Sequence, residues 1–163
     1  MQRYGIIGLC ALMLTLCVSC EGTSFQSSVP TASVRVVIDR ELGPFVLFQE
    51  TAWTDYVIVD SEGFHYHGEL VLPLGTNMFG YAGVIVYVSL NGYDAWDLAC
   101  PYCAGLGRKV PCDIDGIYAV CPHCGEVYDL GGGSGVPRNG ISKEPLRRYH
   151  VTPSGSKLIV TQR

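Results

Sequence analysis

Two short cysteine motifs are the residues of this chain best suited to chemistry. Cys100-Pro101-Tyr102-Cys103 and Cys121-Pro122-His123-Cys124 each place two thiols around a tight turn, and seventeen residues separate the motifs. A turn of this kind presents both sulfurs on one side, so the two pairs can surround one metal centre. Proline fixes a backbone angle in each turn, and Gly125 tolerates the left-handed conformation that lets backbone N–H groups face the sulfurs. We therefore predict that Cys100, Cys103, Cys121 and Cys124 are metal ligands.

Three kinds of chemistry are compatible with four such thiols. They can hold Zn²⁺ in a closed tetrahedral site, or iron, alone or as a two-iron cluster, for electron transfer. They can also oxidise within each motif to a strained, redox-active disulfide. A thioredoxin-like redox site is not indicated, because neither motif lies in a βαβ pattern. Cys112, between the motifs, has no partner by spacing and is predicted to be a small buried hydrophobic residue.

The composition predicts a single, turn-rich β domain. Twenty glycines, nine prolines and ten tyrosines occur in 163 residues, and only 16% of the residues are charged. The formal net charge is −4, so no basic surface for nucleic acid is indicated. The glycine-rich stretch 131–137 lacks the lysine and the helical context of a phosphate-binding loop, which argues against nucleotide binding.

Short apolar runs between turn residues predict the strands. The segment 83–88 is almost continuously apolar, which indicates a buried strand, and Asn91-Gly92 predicts a hairpin turn after it. His65 and His67 alternate, so both would lie on one strand face with Glu69, but no further ligand accompanies them at a recognisable spacing; we interpret them as an exposed strand or loop face. No helix is predicted after residue 20. The predicted strands are 34–38, 45–49, 55–59, 69–72, 83–88, 93–98, 110–113, 117–120, 146–151 and 157–161.

The N-terminal segment predicts export. Arg3 precedes an apolar run over 6–18 that is too short for an ordinary membrane span. The run ends at Cys20 and resembles a bacterial lipoprotein signal, which implies cleavage after residue 19, a lipid on Cys20 and a membrane-anchored protein of the bacterial cell envelope, facing the periplasm or the cell surface. Residues 1–20 are thus assigned to the signal and 21–33 to a flexible tether; the alternative is an uncleaved anchor.

Beyond the cysteines, several stretches carry a family resemblance in the same order and at the same distances. From about Tyr81 to Arg163 the chain resembles a Rieske domain, and in particular the short Rieske-like lipoproteins of Bacteroidetes-type bacteria. The stretches that carry the resemblance are GVIVY at 83–87, YDAWDLACP at 93–101, AVCPHCGEVYDL at 119–130, GVP at 135–137 and PLRRY at 145–149.

The resemblance implies both a fold and a function. It implies an all-β, antiparallel sandwich or barrel over 34–163, with a small rubredoxin-like metal-binding subdomain at about 98–130. Two loops of that subdomain would bind a 2Fe–2S cluster, and the chain would transfer electrons to an unknown redox partner. Catalysis is not expected, because Rieske oxygenases need a large separate iron-bearing domain for which 163 residues leave no room.

The two histidine ligands of the family are missing in register. Tyr102 and Cys124 occupy their positions, so the family's ligands carry over only to Cys100 and Cys121, and Cys103 and Cys124 would replace the histidines. Two additional thiolates would lower a cluster's reduction potential towards that of an all-cysteine ferredoxin. The N-terminus also lacks the twin arginine of a route that exports folded proteins, which favours a metal acquired later. A structural zinc site, or a metal-free interaction module, therefore remains the alternative.

Overall fold

The computed structural model describes residues 27–163, which form a β-rich structure with one short α-helix. Among these residues, no helix has the length and hydropathy that a membrane span requires. The strands are β1 (Val34–Asp39), β2 (Tyr56–Val59), β3 (Gly63–Tyr66), β4 (Glu69–Pro73), β5 (Met78–Phe79), β6 (Val84–Ser89), β7 (Gly92–Asp97), β8 (Asp113–Asp115), β9 (Tyr118–Val120), β10 (Val127–Asp129), β11 (Arg148–Ser154) and β12 (Lys157–Thr161). The helices are α1 (Pro101–Gly105) and a 3₁₀ helix (Gly43–Leu47).

Nine strands form one large antiparallel sheet in the order β4-β3-β2-β6-β7-β11-β12-β1-β5, and β8, β9 and β10 form a separate three-stranded sheet. The all-β, antiparallel prediction is confirmed. In the chain order, the small sheet lies between β7 and β11 of the large sheet. The Rieske resemblance implies the same arrangement, a large antiparallel sheet with a small metal-binding subdomain.

Strand β6 lies at the centre because both of its faces are buried. Side chains alternate across a strand, so Val84, Val86 and Val88 enter the main core, whereas Ile85 and Tyr87 enter a second core that contains the cysteines. All six residues of β6 are buried, as its apolar run predicts. The small sheet and the cysteine loops thus cover the outer face of the large sheet at its middle.

Two local predictions were wrong. The segment 45–49 is not a strand: the 3₁₀ helix begins beside Pro44, and Phe45 and Phe48 are both buried. Residues three apart lie on one side of a 3₁₀ turn but on opposite faces of a strand, so the burial of Phe45 and Phe48 in one core favours the turn. The helix α1 was not predicted; Pro101 fits the first turn of a helix, where no backbone N–H is needed.

Residues Ser28–Ala32, which we call the strap, lie against the domain. The Ser28 backbone N–H and hydroxyl both donate to the Glu144 carboxylate, at 2.8 and 2.6 Å. The Arg147 guanidinium donates to the Val29 carbonyl oxygen at 2.7 Å. Val29 is 1% exposed and packs in a small cluster with Ala104 of α1. The strap is therefore attached to the same short helix that carries Cys103.

Candidate metal centre

The first cysteine motif follows directly from β7. The Cys100 backbone N–H donates to the Val110 carbonyl at 2.9 Å, which ties the motif to the returning chain. The α1 helix then begins at Pro101, and the Ala104 N–H donates to the Cys100 carbonyl at 2.9 Å. This turn brings the buried Cys103 side chain to the same side as Cys100.

The second motif closes the β9–β10 connection. The Cys121 N–H donates to the Glu126 carbonyl at 2.8 Å, and the Gly125 N–H donates back to the Cys121 carbonyl at 2.9 Å. Gly125 has a φ of +74°, in the left-handed region that a side chain disfavours. Gly125 thus adopts the left-handed conformation that the sequence predicted for it.

The structure brings all four predicted cysteines together. Their Sγ atoms lie within 4.8 Å of one another. The Sγ atoms of Cys100 and Cys124 are 3.7 Å apart, as are those of Cys103 and Cys121. Three of the four residues are buried, and Cys124 is half-buried. No other group of three or more potential ligands occurs within residues 27–163.

These spacings match one metal ion better than two. A regular tetrahedron with metal–sulfur bonds of about 2.3 Å has edges of about 3.8 Å, close to the Sγ–Sγ distances of 3.7 Å for Cys100–Cys124 and Cys103–Cys121. In a two-iron cluster the sulfides separate the irons, and two edge-sharing tetrahedra of this size place thiolates on different irons roughly 5 Å or more apart. Because no pair exceeds 4.8 Å, the four sulfurs match a single ion more closely than a 2Fe–2S cluster, and we assign no chemistry to a cluster.

Two buried groups support the Cys100 sulfur. The Tyr128 hydroxyl lies 3.3 Å from Cys100 Sγ. A hydrogen bond from the Cys112 thiol is the largest cause that lowers the pKa of Cys100, to about 4; the Tyr128 hydroxyl and the Cys103 N–H act in the same direction, and burial opposes them. Burial raises the pKa of Tyr128, so its hydroxyl stays protonated and donates. Cys112 is buried, as predicted, but it also contacts the site.

Two other ligand thiols, Cys103 and Cys124, have raised pKa values and are harder to ionise. Burial is the largest cause that raises the pKa of Cys103, and it also raises the pKa of Cys124, to about 11. Neighbouring cysteine sulfurs add to both shifts. Binding a cation must therefore displace protons from Cys103 and Cys124.

A histidine–arginine pair lies beside the cysteines. His123 Nδ1 is 3.9 Å from Cys103 Sγ, and its Nε2 is 2.9 Å from Arg108 Nη1. Arg108 thus lies next to the site, whereas the following residue, Lys109, lies over the Tyr81 ring. The cysteine spacing predicted no role for His123. Its contact with Cys103 joins two separate loops and exists only when both are folded.

The other predicted residues lie elsewhere. His65 Nε2 is 3.0 Å from an Asp60 oxygen, and His67 Nε2 is 3.8 Å from an Asp55 oxygen. Each histidine thus has its own carboxylate partner, and the two do not form a metal pair. The predicted lipidation site Cys20 and the signal 1–20 lie outside the described residues, as do residues 21–26 of the tether 21–33.

Comparisons with known proteins found similarity only among solved structures. No protein-family model matches the chain, and no curated protein matches it. A ferredoxin from Sphingomonas yanoikuyae B1 is 16% identical, with a TM-score of 0.41 over 71% of this chain and 94% of its own. The ferredoxin of carbazole 1,9a-dioxygenase from Nocardioides aromaticivorans IC177 is also 16% identical, with a TM-score of 0.44 over 81% of this chain and 99% of its own.

A third structure, a complex of reduced oxygenase and oxidized ferredoxin in carbazole 1,9a-dioxygenase, gives 19% identity and a TM-score of 0.37 over 56% of this chain and 76% of the other. All three TM-scores lie below 0.5, so the function proposed below depends on the geometry of this chain alone.

Proposed function

We propose that this chain is a metal-centre protein with a Rieske-like fold, in which Cys100, Cys103, Cys121 and Cys124 bind one metal ion as a tetrahedral tetrathiolate. The observation that carries the proposal is that all four Sγ atoms lie within 4.8 Å of one another, with two edges of 3.7 Å. Four protein ligands leave no open position on the ion, so substrate chemistry at the metal is not part of the proposal.

Zn²⁺ is the first candidate ion. It prefers tetrahedral thiolate sites with bonds of about 2.3 Å, which the observed spacing accommodates. Bound zinc would crosslink the α1 turn to the β9–β10 loop and stabilise the small sheet against the large one. A metal acquired after export also agrees with the absence of a twin arginine near Arg3.

A one-electron carrier that uses iron is the second candidate, and one contact favours it. The Tyr128 hydroxyl points at Cys100 Sγ from 3.3 Å, and hydrogen bonds to thiolate sulfur are one means by which proteins raise a reduction potential. Cys124, the least buried ligand, would be the side through which an electron enters or leaves.

Elemental analysis and absorption of the protein purified without oxygen decide between these ions. We expect one metal ion per chain, colourless for zinc and coloured for iron. Cys112→Ser should retain the ion, and Cys124→Ser should lose it. Two irons with two inorganic sulfides per chain would contradict the single-ion site, and protein that binds no added Zn²⁺, Co²⁺ or Fe²⁺ would leave only an interaction module.

We also propose that the mature chain is held in the cell envelope by a lipid on Cys20. The support is the apolar run 6–18 that ends at this cysteine. Growth with radiolabelled fatty acid should label the wild-type protein and not Cys20→Ser. Equal labelling of both would refute the anchor and leave the metal centre untouched.

A further inference from the structure

We propose that His123 and Arg108 act as a pair of positioning residues, in which Arg108 fixes the His123 ring so that its Nδ1–H donates to the Cys103 sulfur. The inference rests on the proposed tetrathiolate site. Neither residue binds the metal in this proposal. Together they give the buried Cys103 sulfur a polar partner from outside the four ligands.

The proton on His123 can be placed from its two neighbours. A guanidinium has only N–H donors and no acceptor, so the nitrogen 2.9 Å from Arg108 Nη1, Nε2, must accept. The proton of the neutral ring then lies on Nδ1, the nitrogen 3.9 Å from Cys103 Sγ. Arg108 thereby selects the one neutral tautomer that offers an N–H to the metal ligand, as partners of this kind do around metal sites.

Charge gives the pair a second role. Four thiolates around a divalent cation carry a net charge of −2. Cys103 is fully buried, so water screens its charge poorly, and a cation linked through the histidine is favourable there. Arg108 supplies that cation. Lys109, the next residue, does not, because its Nζ lies 5.4 Å from the centre of the Tyr81 ring and 6.0 Å from that of Phe79.

Lys109 is therefore a matched control. Arg108→Gln and Lys109→Gln remove the same charge from adjacent positions of the same loop. His123→Ala removes the N–H donor, whereas His123→Asn keeps an amide N–H near the position of Nδ1. Second-layer partners of metal ligands are worth about 10- to 100-fold in metal affinity, and a weak N–H to sulfur contact belongs at the lower end of this range.

The test is a titration of each full-length variant with Co²⁺, in competition with a chelator, together with the energy of the sulfur-to-cobalt charge-transfer band. We expect His123→Ala to weaken binding at least fivefold and to move the band to lower energy, since a thiolate without its N–H partner is more electron-rich. His123→Asn should restore most of the affinity, and Lys109→Gln should leave both values at wild type.

A double-mutant cycle separates the pair from two independent contacts. Because Arg108 acts mainly through the ring, Arg108→Gln should weaken binding in the wild-type background and have a much smaller effect in His123→Ala. The inference would be overturned if His123→Ala weakened binding less than fivefold or weakened it without moving the charge-transfer band. It would also be overturned if the losses of the two single variants added in the double variant. Wild-type protein that binds no Co²⁺ would instead refute the proposed metal site itself.

Discussion

We expect the affinity of the cysteine site for a divalent ion to fall about 100-fold for each unit by which the pH is lowered, between about pH 8 and pH 6. The reason lies in the metal-free protein. Burial raises the pKa of Cys103, and it raises that of Cys124 to about 11. Both thiols are therefore protonated over this range, whereas a tetrathiolate needs both as thiolates.

The direction and the size of this pH dependence follow from the number of protons that the ligands release when the metal binds. A ligand whose pKa lies above the working pH must lose its proton when the metal binds, so binding weakens as the pH falls, by a factor of ten per unit for each such ligand. Cys103 and Cys124 give at least two protons. Cys100 adds none, because its pKa of about 4 leaves it a thiolate throughout.

Calorimetric titration with Zn²⁺ in two buffers of different ionisation enthalpy measures the number of protons released per ion. We expect at least two at about pH 7, and a matching slope of log Kd against pH in a chelator competition. A release of about one proton or none would show that these thiols ionise without the metal or remain protonated in the complex, and either result would refute the reasoning.

Two further predictions concern the buried carboxylates that hold the loops. Asp97 is fully buried and accepts hydrogen bonds from the Tyr149 hydroxyl at 2.7 Å and from three backbone N–H groups. In a denaturant titration, Asp97→Asn should lower the free energy of unfolding by about 2–4 kcal/mol, and Tyr149→Phe should lower it by about 1 kcal/mol. Equal losses in the two variants would contradict the role given to Asp97. Glu126 is also fully buried and accepts hydrogen bonds from the backbone N–H groups of Asn139 and Ser142. Glu126→Gln should therefore speed hydrogen exchange at these two amides and speed the release of bound metal. Unchanged exchange would show that Glu126 does not hold this loop.

The features that sequence alone could predict are those with local causes. The run Val84–Ser89 reads as a buried strand because every residue but the last is apolar, and the cysteine spacing specifies two loops regardless of the rest of the fold. The four ligand positions follow from the same spacing. These inferences need no knowledge of which residues far apart in the chain become neighbours.

The features that could not be predicted depend on contacts between distant segments. Asp97 and Glu126 read as ordinary polar residues, and only the fold surrounds each with backbone donors. The apolar residues of the segment 45–49 do not by themselves show whether one face or two is buried, and the packing of Phe45 and Phe48 into the same core decides for the 3₁₀ turn. The contact of His123 with Cys103 spans twenty residues and exists only once both loops have folded.

The strap sets a working distance for the metal centre. Ser28 is the eighth residue after Cys20, and eight residues span at most about 28 Å when fully extended. Val29 packs on Ala104, the neighbour of Cys103. If Cys20 carries the lipid, the anchored end of the domain is the strap, which packs beside the cysteine loops. With that lipid in place, a molecule that contacts the cysteine loops would do so within about a few tens of ångströms of the membrane surface.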